Sequence, residues 1–499
     1  MTPYATSAFQ QHSLLSTVTV IQGVVSAVIK PPMGKIADVF GRLESFAITI
    51  FLYTIGYIQQ AASENVETFA SAQIFWAAGF NGLQILQQIF VADTTDLSNR
   101  ALFSTLFDVP FLWMVWAGPE LATKILDSTT WRWGYGIWAI VLPVCFIPLA
   151  VSLWSSQRRA KRCGQALPSA FRGHTAFQIL ENLWFDLDVF GLLLLASALA
   201  PSADGKWSNA SMIAMLVVGI AILIAFPFWE TSKKLAPKAF FPPNLFRNRT
   251  VIAGTLIAFL YFIQNKSITT AGNITRIFSL SSTVSSIIVS LIIKYTGHYK
   301  YYVTVGSCIY LLGLGIMLRY RNEHASTPTL VGTQIAIGIG GGILNVPVQL
   351  GVQASASHQQ VAAVTTVWLT LLEVGGAVGS AISGAIWSTY VPHKLQKYLP
   401  AETVANATII FGDITTSSDY ITYPSGSPTR TAINRAYQET MRLMLIAALF
   451  AAAPIVPLTF FLQNYQLLEM EQPIEGRVIG SDKGRGGSER GFWRRFFRR

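Results

Sequence analysis

The sequence is poor in charged residues. Asp, Glu, Lys and Arg make up 12% of its 499 residues, about half of the fraction that is usual in soluble domains. Hydrophobic residues make up 52%, and the mean hydropathy is +0.44. The net charge of +11 does not indicate nucleic acid, because much of it lies in short loops and in the C-terminal tail. This balance favours a chain that crosses a lipid bilayer many times.

Cysteine is scarce as well. Cys145, Cys163 and Cys308 are scattered, without the spacing of a metal site or a disulfide framework. The glycine run 340–342 is not a phosphate-binding loop, because no Lys-Ser/Thr follows it. No catalytic arrangement of side chains stands out. The sequence therefore predicts no cofactor, no metal site and no enzyme activity.

Long apolar runs are what the chain does contain. They predict membrane spans at residues 14–30, 43–62, 69–91, 101–125, 133–154, 185–200, 210–229, 250–263, 268–293, 301–319, 329–353, 362–389 and 438–462. The loops alternate in basic content, and the basic ones, such as the loop with Lys35 and Arg42, are expected in the cytoplasm.

These spans divide the chain into segments. The predicted order is an extracellular lead-in (1–13), an N-terminal helical bundle (14–154), a cytoplasmic loop (155–184), central extra spans (185–229), a second cytoplasmic loop (230–249), a C-terminal bundle (250–389), an extracellular loop (390–437), a last span (438–462) and a basic cytoplasmic tail (463–499). An outside start predicts that a first span is missing. Two short apolar runs, 189–200 and 251–263, predict that parts of two further spans are missing, with extension into their polar flanks, or re-entrant or half-helices, as the alternatives. A run of 12 residues rises only roughly 18 Å against a hydrocarbon core of ~30 Å.

A short polar string lies between the first two spans. Gly34, Asp38, Gly41 and Arg42 follow the pattern Gly-x-x-x-Asp-x-x-Gly-Arg. In this position the pattern predicts a turn between two closely packed helices. It also predicts a gate in which Asp38 and Arg42 pair at the membrane face. The string resembles the signature loop of the major facilitator superfamily of secondary transporters.

Further stretches resemble one branch of that superfamily, the fungal siderophore–iron transporters with fourteen spans. They are residues 89–95 with Arg100, 131–136, 206–209, 265–278, and 345–349 with 358–360. The resemblance covers about residues 14–465, and the missing first span and the two short runs are its departures.

The resemblance implies a fold and a function. The expected fold is an all-α polytopic membrane protein with two pseudo-symmetric helical bundles and extra spans. The expected function is import of a ferric siderophore together with protons, in the plasma membrane or an endosomal vesicle. The protein would recognise the organic chelate and not the metal. Two alternatives remain: a fourteen-span drug:proton antiporter, and a truncated product without transport activity.

Uncharged amides mark the helix faces where a substrate cavity is predicted. They can hydrogen-bond a polar chelate, although bonding between neighbouring helices is the alternative. The first set recurs at i, i+3 and i+7 and consists of Asn81, Gln84 and Gln88. The second set recurs at every fourth residue and consists of Asn345, Gln349 and Gln353.

Acidic side chains within spans are costly, so each is a candidate for carrying the coupling proton. Glu373 is preferred because it lies deep in a span, and pairing with a buried base is its alternative role. Asp108 and Glu120 are the other candidates, and Lys124 is expected to pair with Glu120. Arg276 is a candidate for binding an anionic chelate.

Two further features have local explanations. Gly375 and Gly379 have the small-xxx-small spacing that lets two helices pack closely. Arg132, between two tryptophans, is expected to anchor its span at the interface. Asn406 begins a glycosylation sequon in a loop that is predicted to lie outside.

Overall fold

A computed structural model describes residues 15–162, 247–269, 275–321, 326–357, 360–412, 423–424, 426–468 and 470. The predicted spans 185–200 and 210–229 and the Arg-rich tail lie outside these residues. So does most of each predicted cytoplasmic loop, 155–184 and 230–249.

Within these ranges the regular elements are helices. They are α1 (Leu15–Val39), α2 (Arg42–Ala62), α3 (Val66–Thr94), α4 (Leu97–Leu106), α5 (Phe111–Ser128), α6 (Trp131–Arg162), α7 (Arg249–Thr269), α8 (Thr275–Thr296), α9 (Lys300–Tyr320), α10 (Thr327–Ala354), α11 (Val361–Tyr398), a 3-10 turn (Val404–Asn406), α12 (Ala407–Gly412), α13 (Pro428–Ala452) and α14 (Ile455–Phe461).

Length and composition suit these helices to a membrane. In the described part, seven helical stretches are long and apolar enough to cross a bilayer, among them Trp131–Arg162 and Pro328–Ala354. Large apolar side chains such as Trp113, Ile140 and Ile147 point outward. A surface of this kind is rare in water and normal against lipid. The prediction of an all-helical polytopic protein is confirmed.

The described helices form two halves, α1–α6 and α7–α14. The halves meet in a shared apolar cluster at the end where α1 and α3 finish and α11 begins. Met33 and Ile89 from the first half pack there with Val352 and Trp368 from the second. The short helix α4 also joins the core of the second half through Leu97.

Several predicted boundaries are wrong. The predicted turn at 34–42 is largely helical, because α1 continues through Pro31 and Pro32 to Val39. Met33 and Ala37 are buried by this continuation. The turn itself is Phe40–Gly41, and Gly41 has a φ of 98°, which glycine adopts easily.

The spans predicted at 101–125 and 250–263 also differ. The first is interrupted between Leu106 and Phe111, where Pro110 precedes α5. The second keeps a short apolar part, Arg249–Ile263, but its helix α7 has 21 residues because it extends through polar residues to Thr269, which is one of the alternatives that the sequence left open. A helix of that length rises about 31 Å, against a core of ~30 Å. Its neighbour α8 begins at Thr275 and not at residue 268. The other short run, 189–200, lies outside the described residues.

The segment predicted as a loop at 390–437 is partly helical. α11 continues to Tyr398, and α13 begins at Pro428, well before the predicted start at 438. Apolar side chains of α11, α12 and α13 pack together there, including Leu395, Ile410 and Ile433. A buried cluster of this size gives these residues a reason to be helical instead of extended.

The chain after α14 is hydrogen-bonded to one end of the second half. The amide of Leu467 donates to the carbonyl of Gly297 (2.9 Å), and the amide of Gln463 donates to Thr250 Oγ1 (3.1 Å). The Tyr299 hydroxyl donates to the carbonyl of Gln463. Burial raises the pKa of this hydroxyl well above its usual range. These bonds join α7 and the turn between α8 and α9 to the C-terminal segment.

Candidate functional site

A polar stripe joins α1 to α3. Gln22 donates to Gln73 (2.5 Å), and Asn81 donates to Ser26 (2.8 Å). Asn81 is buried and also bonds the carbonyl of Ala77. It therefore connects two helices of the same half. The alternative interpretation of Asn81, bonding between neighbouring helices, describes its contacts.

The stripe continues to an ion pair between the two halves. Lys30 Nζ on α1 lies 2.8 Å from Glu373 Oε1 on α11, and the two side chains are 0% and 16% exposed. Glu373 thus has the buried base that its alternative role requires. Lys30 was missed as a functional residue, because it reads as the last residue of a predicted span. The sequence does contain a signal for it: a lysine lies directly before Pro31-Pro32 within an apolar run, where a charge is costly.

A second polar contact between the halves involves two of the predicted cavity residues. Gln349 on α10 donates to Gln88 on α3 across 2.9 Å. Gln353, one turn further along α10, donates instead to Thr365 of α11 (3.0 Å) and so bonds within its own half. Both contacts are bonds between neighbouring helices, the alternative that the sequence left open, and a role in lining a substrate cavity stays a prediction.

Gln84 and Asn345 are the predicted cavity residues with unused hydrogen-bonding groups. Gln84 Oε1 is buried without a partner among the described residues. The side chain of Asn345 is half-buried and forms no hydrogen bond within the described part of the chain. Each lies four residues before a member of the Gln88–Gln349 pair, on the same face of its helix. Gln88, Gln349 and the ion pair join the halves, and these residues together with Gln84 and Asn345 are called the polar belt below.

Arg42 of the gate motif has a partner on α3. Arg42 Nε lies 2.8 Å from Asp93 Oδ2 of α3, so the turn is tied to the end of that helix. The side chain of Asp38 lies outside the described part, and its pairing with Arg42 stays a prediction. Gly34 faces α11: a Cβ atom on it would lie 2.7 Å from Thr366 Oγ1. Only a glycine lets the two halves approach this closely here.

Arg100 supports the same end of the molecule. It is 2% exposed, and its guanidinium donates to the carbonyls of Ala92 (3.1 Å) and Thr95 (3.4 Å). These bonds hold the connection between α3 and α4, beside the acid that pairs with Arg42. Arg100 belongs to the motif residues noted in the sequence, but its buried position was not predicted.

The other two predicted acids belong to the region of α4 and α5. Asp108 is in the turn between α4 and α5, and its carbonyl accepts the amide of Phe111. Glu120 is exposed on α5, so the prediction that it lies inside the bundle is wrong. Lys124, one turn further on, is exposed too. The apolar faces of α5 point outward as well, which leaves Glu120 on a poorly covered helix.

The remaining candidates are scattered. Arg132 stacks on Trp131 (4.7 Å to the ring centroid) and donates to the carbonyl of Ser63. The side chain of Arg276 lies outside the described residues. Asn406 is exposed in the 3-10 turn. Among the residues that the structure describes, no group of three or more His, Cys, Asp or Glu side chains could hold a metal ion.

Comparisons with known proteins identify the family. The chain is 49% identical to "Siderophore iron transporter mirC" of Emericella nidulans, over 98% of this chain and 84% of the relative. The chain belongs to the siderophore iron transporters of the major facilitator superfamily. "MFS siderochrome iron transporter C" of Aspergillus fumigatus is also 49% identical, over 94% of this chain and 81% of its own. "Siderophore iron transporter 1" of Schizosaccharomyces pombe is 37% identical, over 92% and 78%.

Two further matches agree with this family. The Major Facilitator Superfamily model matches residues 1–240. The solved structure of the proton:xylose symporter XylE shares the fold, with a TM-score of 0.50 and 11% identity over 91% of this chain and 90% of its own. The alignment with the Emericella siderophore transporter has 518 positions, more than the 499 residues of this chain, so that relative carries positions without a counterpart here.

Proposed function

We propose that this protein imports ferric siderophores by proton symport, with alternating access between its two halves. The relatives named as siderophore iron transporters support the substrate class. The observation that carries the mechanism is the ion pair of Lys30 and Glu373, since it joins the halves and contains a titratable carboxylate. The substrate is the complete ferric chelate, bound through its organic shell.

Contacts between the halves support alternating access. Close packing of Gly34 against Thr366 and the bond between Gln88 and Gln349 both lie toward the end that carries the gate motif. The basic loops predict that this end is cytoplasmic. The conformation described is then closed toward the cytoplasm, with the polar belt as the inner limit of the substrate site. Separation of these contacts, and closure at the other end, would release the chelate inside.

Glu373 is the proposed proton carrier. Its carboxylate is partly accessible while Lys30 is fully buried. Uptake of a proton removes the negative charge that attracts the ammonium group, and so weakens a contact that keeps the halves together. Binding of a proton and opening of the inner end are thereby linked, which is the requirement for symport.

Uptake of radiolabelled iron tests the proposal. The carrier is expressed in cells with no other siderophore carrier, and a panel of ferric hydroxamates is offered at acid and neutral external pH. Inward flux that rises at acid pH is expected, and Glu373→Gln should abolish this rise. Export of amphipathic drugs without iron uptake would favour the antiporter alternative. Surface protein that binds the chelate without moving it would instead indicate an inactive carrier.

A further inference from the structure

Lys30 has more hydrogen-bonding capacity than its partner uses. An ammonium group carries three N–H donors, and Glu373 Oε1 is the acceptor bonded to it within the described residues. The side chain of Lys30 is completely buried. Bulk water therefore does not satisfy the remaining donors in this conformation. Buried donors of a charged group favour an incoming oxygen atom strongly.

The packing of α1 on α3 places an unused acceptor at the level of this lysine along the two helices. Gln22 bonds Gln73 and Ser26 bonds Asn81, so the two helices run side by side in the same direction. Lys30 follows Ser26 by four residues, and Gln84 follows Asn81 by three. One further turn along both helices therefore brings Lys30 and Gln84 to the same level. The buried, unpartnered Oε1 of Gln84 marks a polar site there.

The second half contributes to the same level of the belt. Gln88 and Gln349 bond each other, and one helical turn before them lie Gln84 on α3 and Asn345 on α10. Gln84 and Asn345 thus lie one helical turn away from the bond that these stripes form between the halves. Amide groups can donate to the carbonyl edge of a chelate or accept from its N–H groups. A ligand at this level would contact both halves and the ammonium of Lys30.

We infer that Lys30 is a substrate-binding residue that selects ferric chelates bearing negative charge. This inference deepens the proposed function and rests on it. When Glu373 takes up a proton, Lys30 becomes a buried charge without a counterion, and such a charge is strongly unfavourable. Anionic oxygen atoms of the chelate, carboxylate above all, replace the lost carboxylate of Glu373. Gln84 and Asn345 orient the chelate through uncharged hydrogen bonds.

A series of chelates with one iron-binding core and different charge tests this inference. Ferrioxamine B is cationic, its N-acetyl derivative is neutral and its N-succinyl derivative is anionic. Uptake of radiolabelled iron from each complex is measured in cells with no other siderophore carrier. The wild-type protein should have a KM for the anionic complex roughly tenfold or more below that for the neutral one, as expected for loss of a charged hydrogen bond.

Three variants sharpen the test. Lys30→Met leaves Glu373 unpaired, so the anionic complex should become the poorest of the three substrates. The double variant Lys30→Met with Glu373→Gln has no charge at this level and should take the three complexes with equal KM. Lys397→Met removes an exposed lysine of α11 and should keep the wild-type order. Gel filtration of each purified variant identifies any that fails to fold. If Lys30→Met fails to fold, the double variant is compared with the wild-type protein instead.

The outcomes separate this inference from the proposed function. If the wild-type protein takes up no ferric complex, from this series or from the hydroxamate panel, the proposed function is wrong. The second outcome is that the wild-type protein takes up ferric complexes, and that Lys30→Met and the double variant rank the three chelates by KM in the same order as the wild-type protein. Import then stands, and the role of Lys30 in selecting charge is wrong.

Discussion

Contacts within each half differ in kind from contacts between the halves. Inside a half, glycines bring backbones together: a Cβ atom on Gly375 would lie 2.2 Å from the carbonyl oxygen of Phe259, and one on Gly340 would lie 2.4 Å from the amide nitrogen of Tyr310. Between the halves, the contacts among the described residues include the shared apolar cluster, an ion pair, an amide pair and the close approach at Gly34. The first kind cannot slide or part without unfolding. The second kind is made of side chains that can exchange partners.

The difference gives each half the properties of a rigid unit. Close backbone packing in a bilayer depends on dispersion and leaves no room for a larger residue. A few polar contacts at an interface cost little to separate once other polar partners, such as a chelate or a proton, are available. The interface of α1 and α11 is therefore the part of the molecule that is suited to open and close. Four substitutions test this comparison, in decreasing order of expected effect.

The largest effect is expected from Gly375→Val. The new side chain would overlap the backbone of α7, and overpacking of this kind should cost more than about 3 kcal/mol and prevent assembly of the second half. Yield of monodisperse protein in gel filtration measures it. Gly384→Ala on the same helix is the matched control, since a Cβ there meets nothing within 4 Å, and it should be harmless. Normal yield of the valine variant would show that the halves are not rigid units.

Glu373→Gln should have the next largest effect. It leaves Lys30 buried without a counterion, and breaking a buried pair in this way typically costs about 3–5 kcal/mol. Thermal unfolding in detergent should show a lowered midpoint. The double variant Lys30→Met with Glu373→Gln should regain most of the loss, because no unpaired charge remains. Equal loss in the single and double variants would contradict an ion pair in the folded protein.

Gly34→Ala should shift the conformation without unfolding either half. A methyl group 2.7 Å from Thr366 Oγ1 pushes α1 away from α11, which should disfavour closure at this end by about 1–2 kcal/mol. Labelling of a cysteine introduced by Ala362→Cys, a position buried in the cluster shared by the halves, reports opening from the cytoplasmic side in a background without the native cysteines. Thr366→Ala should restore the wild-type rate by making room. No change in labelling would mean that this contact does not close the interface.

The smallest effect is expected from Gln88→Leu. It removes one neutral amide bond, worth about 1 kcal/mol, and leaves Gln349 without its partner. The same labelling assay should show a small increase in opening. A double-mutant cycle with Gln349→Leu should give a coupling energy of similar size. A coupling of zero would show that the two amides act independently.

The sequence predicts the character of the fold better than the details of the site. Hydropathy marks most spans because each helix in a bilayer must be apolar over its length, as α9 and α10 illustrate. It predicts Glu373 because an acid deep in an apolar run is costly and therefore conspicuous. It also finds Gln84, Gln88, Asn345 and Gln349 as faces of two helices. It does not say that these faces meet.

The sequence does not reveal which side chains are partners when they are far apart in the chain. Lys30 and Glu373 are 343 positions apart, and no periodicity connects them. Arg42 and Asp93 are 51 positions apart, and their pairing depends on the packing of α2 against α3. The helical extensions of α11 and α13 escaped prediction because they are stabilised by packing on each other and not by their own hydropathy.

The most direct test of the account is a distance between the halves at the gate-motif end. Spin labels are attached at Phe40→Cys and Ser357→Cys in a background without the native cysteines, and electron double resonance gives the distribution of their separation. A single short distance is expected without substrate, and a longer population is expected with the diamagnetic gallium(III) complex of a transported chelate at acid pH. Labels at Ile252→Cys and Ile382→Cys, both in the second half, should not change. An unchanged distance between the halves in protein that still transports would contradict the account.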